Sequence, residues 1–211
     1  MKELLTQLQA TSVWEALGAA LGLAYLLLAV RRNLLCWLCA FASTAIYLAI
    51  FASAALYMQA LLQIFYLAMA VYGFIEWRQG RTDAGELAIA SWSVSQHVLA
   101  ALFVAAATVL NGWLLSRYTD AAAPYLDSFI TWSSVVTTWM VARRVIENWL
   151  YWIVVDGLAA YLYYTQGLLA TTLLFVIYLG VVVRGYVVWR REQAVQHAGA
   201  GPLAVVDHVA R

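Results

Sequence analysis

Charge is what this chain most conspicuously has little of. Charged residues make up 11% of its 211 positions while 65% are hydrophobic, far from the balance of a soluble globular domain. The 12 basic and 11 acidic residues leave a formal charge of +1. No basic patch or stripe exists away from the helix ends, so nothing supports a nucleic-acid partner. Only 2 prolines occur and the 12 glycines are scattered, so most helices need not break. The 2 cysteines form C-W-L-C (Cys36, Cys39) inside an apolar stretch. A redox pair wants a soluble thioredoxin-like setting and a zinc site wants more ligands, which leaves two small apolar residues in a helix. His97, His197 and His208 are isolated, and H-E-x-x-H, G-x-S-x-G and the P-loop are absent. The chain therefore reads as neither an enzyme nor the holder of a cofactor or metal. Its start, M-K-E-L-L-T-Q-L-Q, lacks the positive region and small-residue cleavage site of a secretory signal.

What is present is a series of apolar stretches of ~17–22 residues, each long enough to cross a hydrocarbon core of about 30 Å as a helix. They predict spans at Val13–Val30, Leu34–Phe51, Leu56–Trp77, Ala88–Leu110, Tyr125–Ala142, Trp149–Tyr164 and Leu168–Trp189. The fold class is thus all-α integral membrane, with seven transmembrane helices. Residues 192–211 read as a short tail without chemistry, rich in Gly and Ala and holding Pro202.

The chain also repeats itself. N-L-L-C-W places Asn33 and Trp37 against Asn148 and Trp152 of N-W-L-Y-W, 115 positions on. The pattern Y-L-x5-G-x3-W-R at Tyr66, Leu67, Gly73, Trp77 and Arg78 recurs 112 positions on, at Tyr178, Leu179, Gly185, Trp189 and Arg190. Residues 13–77 and 125–189 are read as two three-helix bundles and 88–110 as a linker helix. Three crossings would begin the second copy upside down, and a fourth turns it back. The order is therefore 3+1+3, with parallel copies related by an axis along the membrane normal.

Arg31, Arg32, Arg78, Arg81, Arg143, Arg144, Arg190 and Arg191 fall on one side of this arrangement, against Lys2 and Arg117 on the other. The positive-inside rule then sets the N-terminus outside and the C-terminus in the cytoplasm.

Ionisable groups inside the bilayer are expensive unless paired or wet. Asp156 lies ~10 Å from the cytoplasmic end of the sixth span and Arg184 ~7.5 Å from that of the seventh, by the helical rise. A buried ion pair between them is the plainer reading, and a counter-charge for a cationic substrate is the functional one. Trp149, Trp152 and Asp156 share a helix face at i, i+3 and i+7, and Asn148 precedes them. Trp149 and Trp152 both lie near a membrane interface, where tryptophan is common, and Trp152 equally suits stacking on a flat cationic ring, whereas Trp77 and Trp189, flanked by arginines, read as interfacial belt residues. Gln59, Gln63 and Tyr66 form a polar stripe on the third span, Thr131, Ser134 and Thr138 another on the fifth. The second stripe, like Gly18-x-x-x-Gly22 on the first span, suits helix packing. His97 in the linker is expected to face a neighbour or the interface.

The run Glu147-Asn148-Trp149-Leu150-Tyr151-Trp152 resembles the E-N-W-x-x-W signature of the Pnu vitamin transporters. Asp127-Ser128, Leu62-Gln63, Tyr72-Gly73 and Gln166-Gly167 resemble the same family, over residues 13 to 191. The resemblance implies a 3+1+3 fold related to the SWEET sugar transporters. It also implies facilitated diffusion of an unphosphorylated B-vitamin across the bacterial cytoplasmic membrane, usually nicotinamide riboside, with thiamine handled by a sister branch. Trapping by a cytoplasmic kinase and a possible homotrimer come with it. Carried over, the substrate residues are Trp149, Trp152 and Gln63, to which the residue-level reading adds Asp156, Arg184, Tyr66, Trp37 and Asn148. Nicotinamide riboside transporters carry asparagine before the glycine of the last helix, where this chain has Arg184, and often an amide at the position of Asp156. A sugar carrier of SWEET type is the reading from another class.

Overall fold

Helix ends explain most of the architecture. A computed structural model describes residues 12–53, 57–80 and 88–199, and these form seven helices. They are α1 (Val13–Val30), α2 (Leu35–Ser53), α3 (Tyr57–Gln79), α4 (Val94–Tyr118), α5 (Pro124–Ala142), α6 (Asn148–Thr165) and α7 (Leu169–Gly199). Ser12 and Glu15 close a reciprocal capping box on α1, and Pro124 opens α5 where its missing N–H costs nothing. α1, α2, α4 and α7 are long and apolar enough to cross a membrane, by length and composition. α5 and α6 bury the polar groups that dilute their apolar character, among them Ser128, Ser133, Ser134, Thr137 and Thr138 on α5 and Asn148 and Asp156 on α6.

Three of the predicted boundaries move by several residues, one of them the end of the fourth helix, which runs to Tyr118 rather than Leu110. The fourth helix begins at Val94, not Ala88, because Ser93 and Gln96 form a capping box there. Ala90 instead makes a parallel bridge to Val145, its N–H donating to Arg144 O and its carbonyl accepting from Ile146 N. Nor does α7 stop at Trp189. It runs to Gly199, and Gln193 and Gln196 hold residues 88–93 in place through Ser91 Oγ and Ile89 N. The segment expected to be an inert tail is thus docked structure as far as Gly199. Lys2, Arg81, Pro202 and His208 lie outside the described residues, as does the side chain of Gln59.

Six helices form a closed ring. α1 touches α2, α2 touches α3, α3 touches α5, α5 touches α6, α6 touches α7, and α7 returns to α1. The two halves therefore meet along two joints, α3–α5 and α7–α1. α4 stands outside the ring against α5. There Asn111 Nδ2 donates to Ser128 Oγ at 3.0 Å, Phe103 meets Trp132 edge to face, and His97 Nδ1 lies 2.8 Å from the Tyr151 hydroxyl on α6. His97 thus faces a neighbouring helix.

Equivalent contacts recur at one spacing, 112, along the chain. Arg32 and Arg144 both sit at positive φ, 52° and 60°, as left-handed caps of α1 and α5. In each corner this residue's N–H bonds to Ala29 O or Val141 O, and the next N–H reaches back to Leu28 O or Met140 O. That pair of bonds is the Schellman closure, made here with arginine where glycine is more usual. Under this spacing Trp37 corresponds to Trp149, not to Trp152 as the N-x3-W match suggested. Asn33 and Asn148 also do different work: Asn33 Oδ1 accepts from Leu35 N, whereas Asn148 Nδ2 donates to Val145 O.

Candidate functional site

Near the arginine corners, four tryptophans pack as one cluster. Trp37, Trp77, Trp149 and Trp189 are each at most 2% exposed. Trp37 meets Trp77 at 5.5 Å and 88°, Trp149 meets Trp189 at 5.3 Å and 83°, and Trp77 meets Trp189 at 6.1 Å. Glycine makes room for the outer pair. A Cβ on Gly73 would lie 2.4 Å from Trp37, and one on Gly185 would lie 2.6 Å from Trp149.

The inner pair crosses between the halves. Trp77 Nε1 donates to Val141 O on α5 at 3.2 Å, and Trp189 Nε1 donates to Val30 O and Ala29 O on α1 at 3.2 and 3.3 Å. These carbonyls belong to the last turn of a helix, beyond the reach of its regular ladder; Ala29 O and Val141 O also accept from the N–H groups of Arg32 and Arg144 in the corner. Outside the cluster, Arg32 pairs with Glu192 across the α1–α7 joint, and Arg143 pairs with Glu76 at 2.9 Å across the α3–α5 joint. Arg144 adds a bond to Glu76 O at 2.8 Å. The belt expectation for Trp77 and Trp189 is therefore overturned: both lie sealed between the two halves. Trp37 and Trp149, expected at a ligand, are walls of the same cluster.

Farther along the helices, two tyrosines at equivalent positions span the joints. Tyr66 on α3 directs its hydroxyl at Ser134 on α5 and lies within electrostatic reach of Tyr25 on α1 and Tyr163 on α6. Tyr178 on α7 reaches α1, its hydroxyl 3.2 Å from where a Cβ on Gly22 would stand. The Gly18–Gly22 face of α1 thus receives side chains, with Ser43 Oγ donating to Gly18 O at 2.7 Å. On α5, the Ser134 hydroxyl also donates to Ile130 O and that of Thr137 to Ser133 O, as packing residues do.

Asp156 is 3% exposed and makes no ion pair or hydrogen bond among the described residues, while Arg184 faces outward. The expected Asp156–Arg184 pair does not form. Asp156 is buried while Arg184 on α7 is exposed. Trp152 is half-buried against the apolar core and Gln63 is half-buried without a hydrogen-bond partner among the described residues. Asn148 is fully buried, its Oδ1 unpartnered. Among the described residues the ring helices thus carry a buried carboxylate without an ion pair (Asp156), a half-buried indole (Trp152), a half-buried amide (Gln63) and several hydroxyls. No group of three or more His, Cys, Asp or Glu gathers among the described residues. Tyr25 and Tyr178 were not foreseen here; Tyr178 was visible only as a repeat marker.

Known proteins resemble most of this chain. A family model described as nicotinamide mononucleotide transporter matches residues 12–191. The riboflavin/roseoflavin transporter RibM of Streptomyces davaonensis is 28% identical over 183 residues, covering 84% of each chain. The nicotinamide riboside transporter PnuC of Escherichia coli is 25% identical over 201 residues, covering 83% of this chain and 84% of the relative. The crystal structure of a vitamin B3 transporter PnuC superposes with a TM-score of 0.71 at 22% identity, over 92% of this chain and 89% of that one.

Proposed function

Because the chain belongs to the nicotinamide mononucleotide transporter family, the Pnu vitamin transporters, we propose that its own cargo is nicotinamide riboside, moved by facilitated diffusion. One observation carries the choice. Asp156 is buried without a counter-charge among the described residues, and an acid in a membrane interior costs about 2.5–3.5 kcal/mol at a helix centre. A cationic pyridinium ring offsets that cost, and Trp152, one turn away on the same helix, offers it a π face. Tyr178 and Tyr66 supply hydroxyls for the ribose, and Gln63 an amide for the carboxamide. The relative PnuC of Escherichia coli, named for nicotinamide riboside, supports the same reading.

Riboflavin is the second reading, favoured by the 28% identity to RibM, which is named for it. Its neutral ring would use Trp152 and the tyrosines but not the charge of Asp156. Thiamine, the other flat cation, and a neutral sugar complete the test panel. Each is added to detergent-purified protein while tryptophan fluorescence and thermal unfolding are followed. Nicotinamide riboside shifts both. Riboflavin alone shifting them would transfer the assignment to it.

The transport cycle follows from two parallel three-helix bundles, related to the SWEET arrangement, that rock about the site with α4 as the linker. Recurrence of contacts at a spacing of 112 supports that symmetry. The arginine corners are placed on the cytoplasmic side of a bacterial inner membrane, the N-terminus outside. A kinase that phosphorylates the incoming vitamin makes uptake one-way, and a homotrimer is the expected assembly. Light scattering of the purified protein tests the last point.

A further inference from the structure

We propose that Trp77 and Trp189 are the gate residues of transport, closing the arginine-rich end by gripping, each from its own half, the last carbonyls of the other half's first helix. The proposal rests on the transporter reading above but not on which vitamin is carried. Three observations carry it.

First, among the described residues the halves pack along α3–α5 and α7–α1, Trp77 and Trp189 meet between them, and one indole N–H crosses each joint, from Trp77 to Val141 O and from Trp189 to Ala29 O and Val30 O. Any separation of the halves at this end breaks both. Second, the acceptors are end-of-helix carbonyls, which water can satisfy as soon as the joint opens, so parting does not strand them. Third, the cluster is not fully satisfied when closed. Trp37 Nε1 and Trp149 Nε1 are buried without an acceptor among the described residues, and admission of water would give both a partner. A permanent core gains from satisfying every donor; a seal that must part repeatedly gains from leaving some to be satisfied in the parted state. The ring contacts fit the same use, since neighbouring indoles meet edge-on or tilted.

Cys36, fully buried in the same cluster, reports on the gate without any vitamin. In a Cys39→Ser background in liposomes, a water-soluble thiosulfonate should modify Cys36 roughly tenfold faster when Trp77→Ala and Trp189→Ala are combined, as expected when a local opening is made easier. The pair Trp77→Phe and Trp189→Phe keeps the rings and deletes only the two donors. It should accelerate modification to a lesser degree and serves if the alanine pair does not fold. An unchanged rate in the folded phenylalanine pair overturns the proposal.

A second arm asks whether this end must open for transport. Arg32→Cys with Glu192→Cys, in a background lacking Cys36 and Cys39, is bridged by a cleavable bifunctional thiosulfonate. Bridging should leave nicotinamide riboside binding intact and stop its flux, and cleavage should restore flux. Flux undiminished by the bridge overturns the gate while the cargo reading stands. No binding of nicotinamide riboside even without the bridge sinks the cargo reading instead, and the Cys36 rates then decide the gate alone.

Discussion

The ring of Trp37 occupies the space in which a Cβ on Gly73 would have to stand, at 2.4 Å, and Trp149 does the same to Gly185 at 2.6 Å. Gly73→Ala and Gly185→Ala should therefore each destabilise the protein by about 1–3 kcal/mol, the usual cost of overfilling a packed interior. Gly157 and Gly180 have nothing within 4 Å of the same position. Alanine there should be neutral or slightly stabilising, since glycine is a poor helix residue by about 1 kcal/mol. Thermal unfolding in one detergent ranks the four variants; equal losses at all four would refute the close packing of indole on glycine.

Asp156→Asn keeps shape and removes charge. It should weaken nicotinamide riboside binding roughly ten- to a hundredfold, the range of about 1.5–3 kcal/mol for an interaction with a charged group, and leave riboflavin binding nearly unchanged. Titration of both vitamins into the variant measures the contrast. Equal loss for both would show that the carboxylate acts on folding rather than on the cation.

Arg184 faces outward and makes no pair with Asp156, so Arg184→Gln should change stability by less than about 0.5 kcal/mol. The double variant with Asp156→Asn should then equal the sum of the singles within about 0.5 kcal/mol. A larger coupling energy in that cycle would restore the ion pair that spacing alone suggested.

The two tryptophans of the E-N-W-x-x-W run should fail differently. Trp149, 1% exposed in the cluster, should cost about 3–5 kcal/mol of stability on Trp149→Ala. Trp152→Ala should leave the protein folded and abolish vitamin binding. Melting and fluorescence titration of the same preparations separate the outcomes, and a stable Trp149→Ala that cannot bind would reverse the two roles.

Helix positions were legible because apolar runs of membrane length have few alternatives; α1 begins and ends where its run does. The errors have local causes. Hydropathy carried the fourth helix back to Ala88, but Ser93 and Gln96 fix its start through backbone N–H groups that hydropathy does not weigh. The seventh was stopped at its arginines, although Glu192, Gln193 and Gln196 form bonds that hold the last turns down. Trp77 and Trp189 misled for a deeper reason. A tryptophan beside arginine near a membrane boundary looks the same in sequence whether it faces lipid or the opposite bundle, and only the 112-residue spacing hinted at the second. The same spacing would have matched Trp37 to Trp149, had the Asn33–Asn148 coincidence not pulled the alignment three residues off. Asp156 and Trp152 were legible as an expensive charge and a neighbouring indole; Tyr178 was not, because the face it fills lies on α1, far away in sequence.

The placement of α4 makes the two sides of the machine unequal. This helix leans on α5 and, through His97 and Tyr151, on α6, so in the proposed rocking it travels with the later half as a single body. Any swing then sets three helices against four. A lipid or neighbouring subunit that holds the outer surface of α4 would slow the heavier partner and leave the lighter one to do the moving.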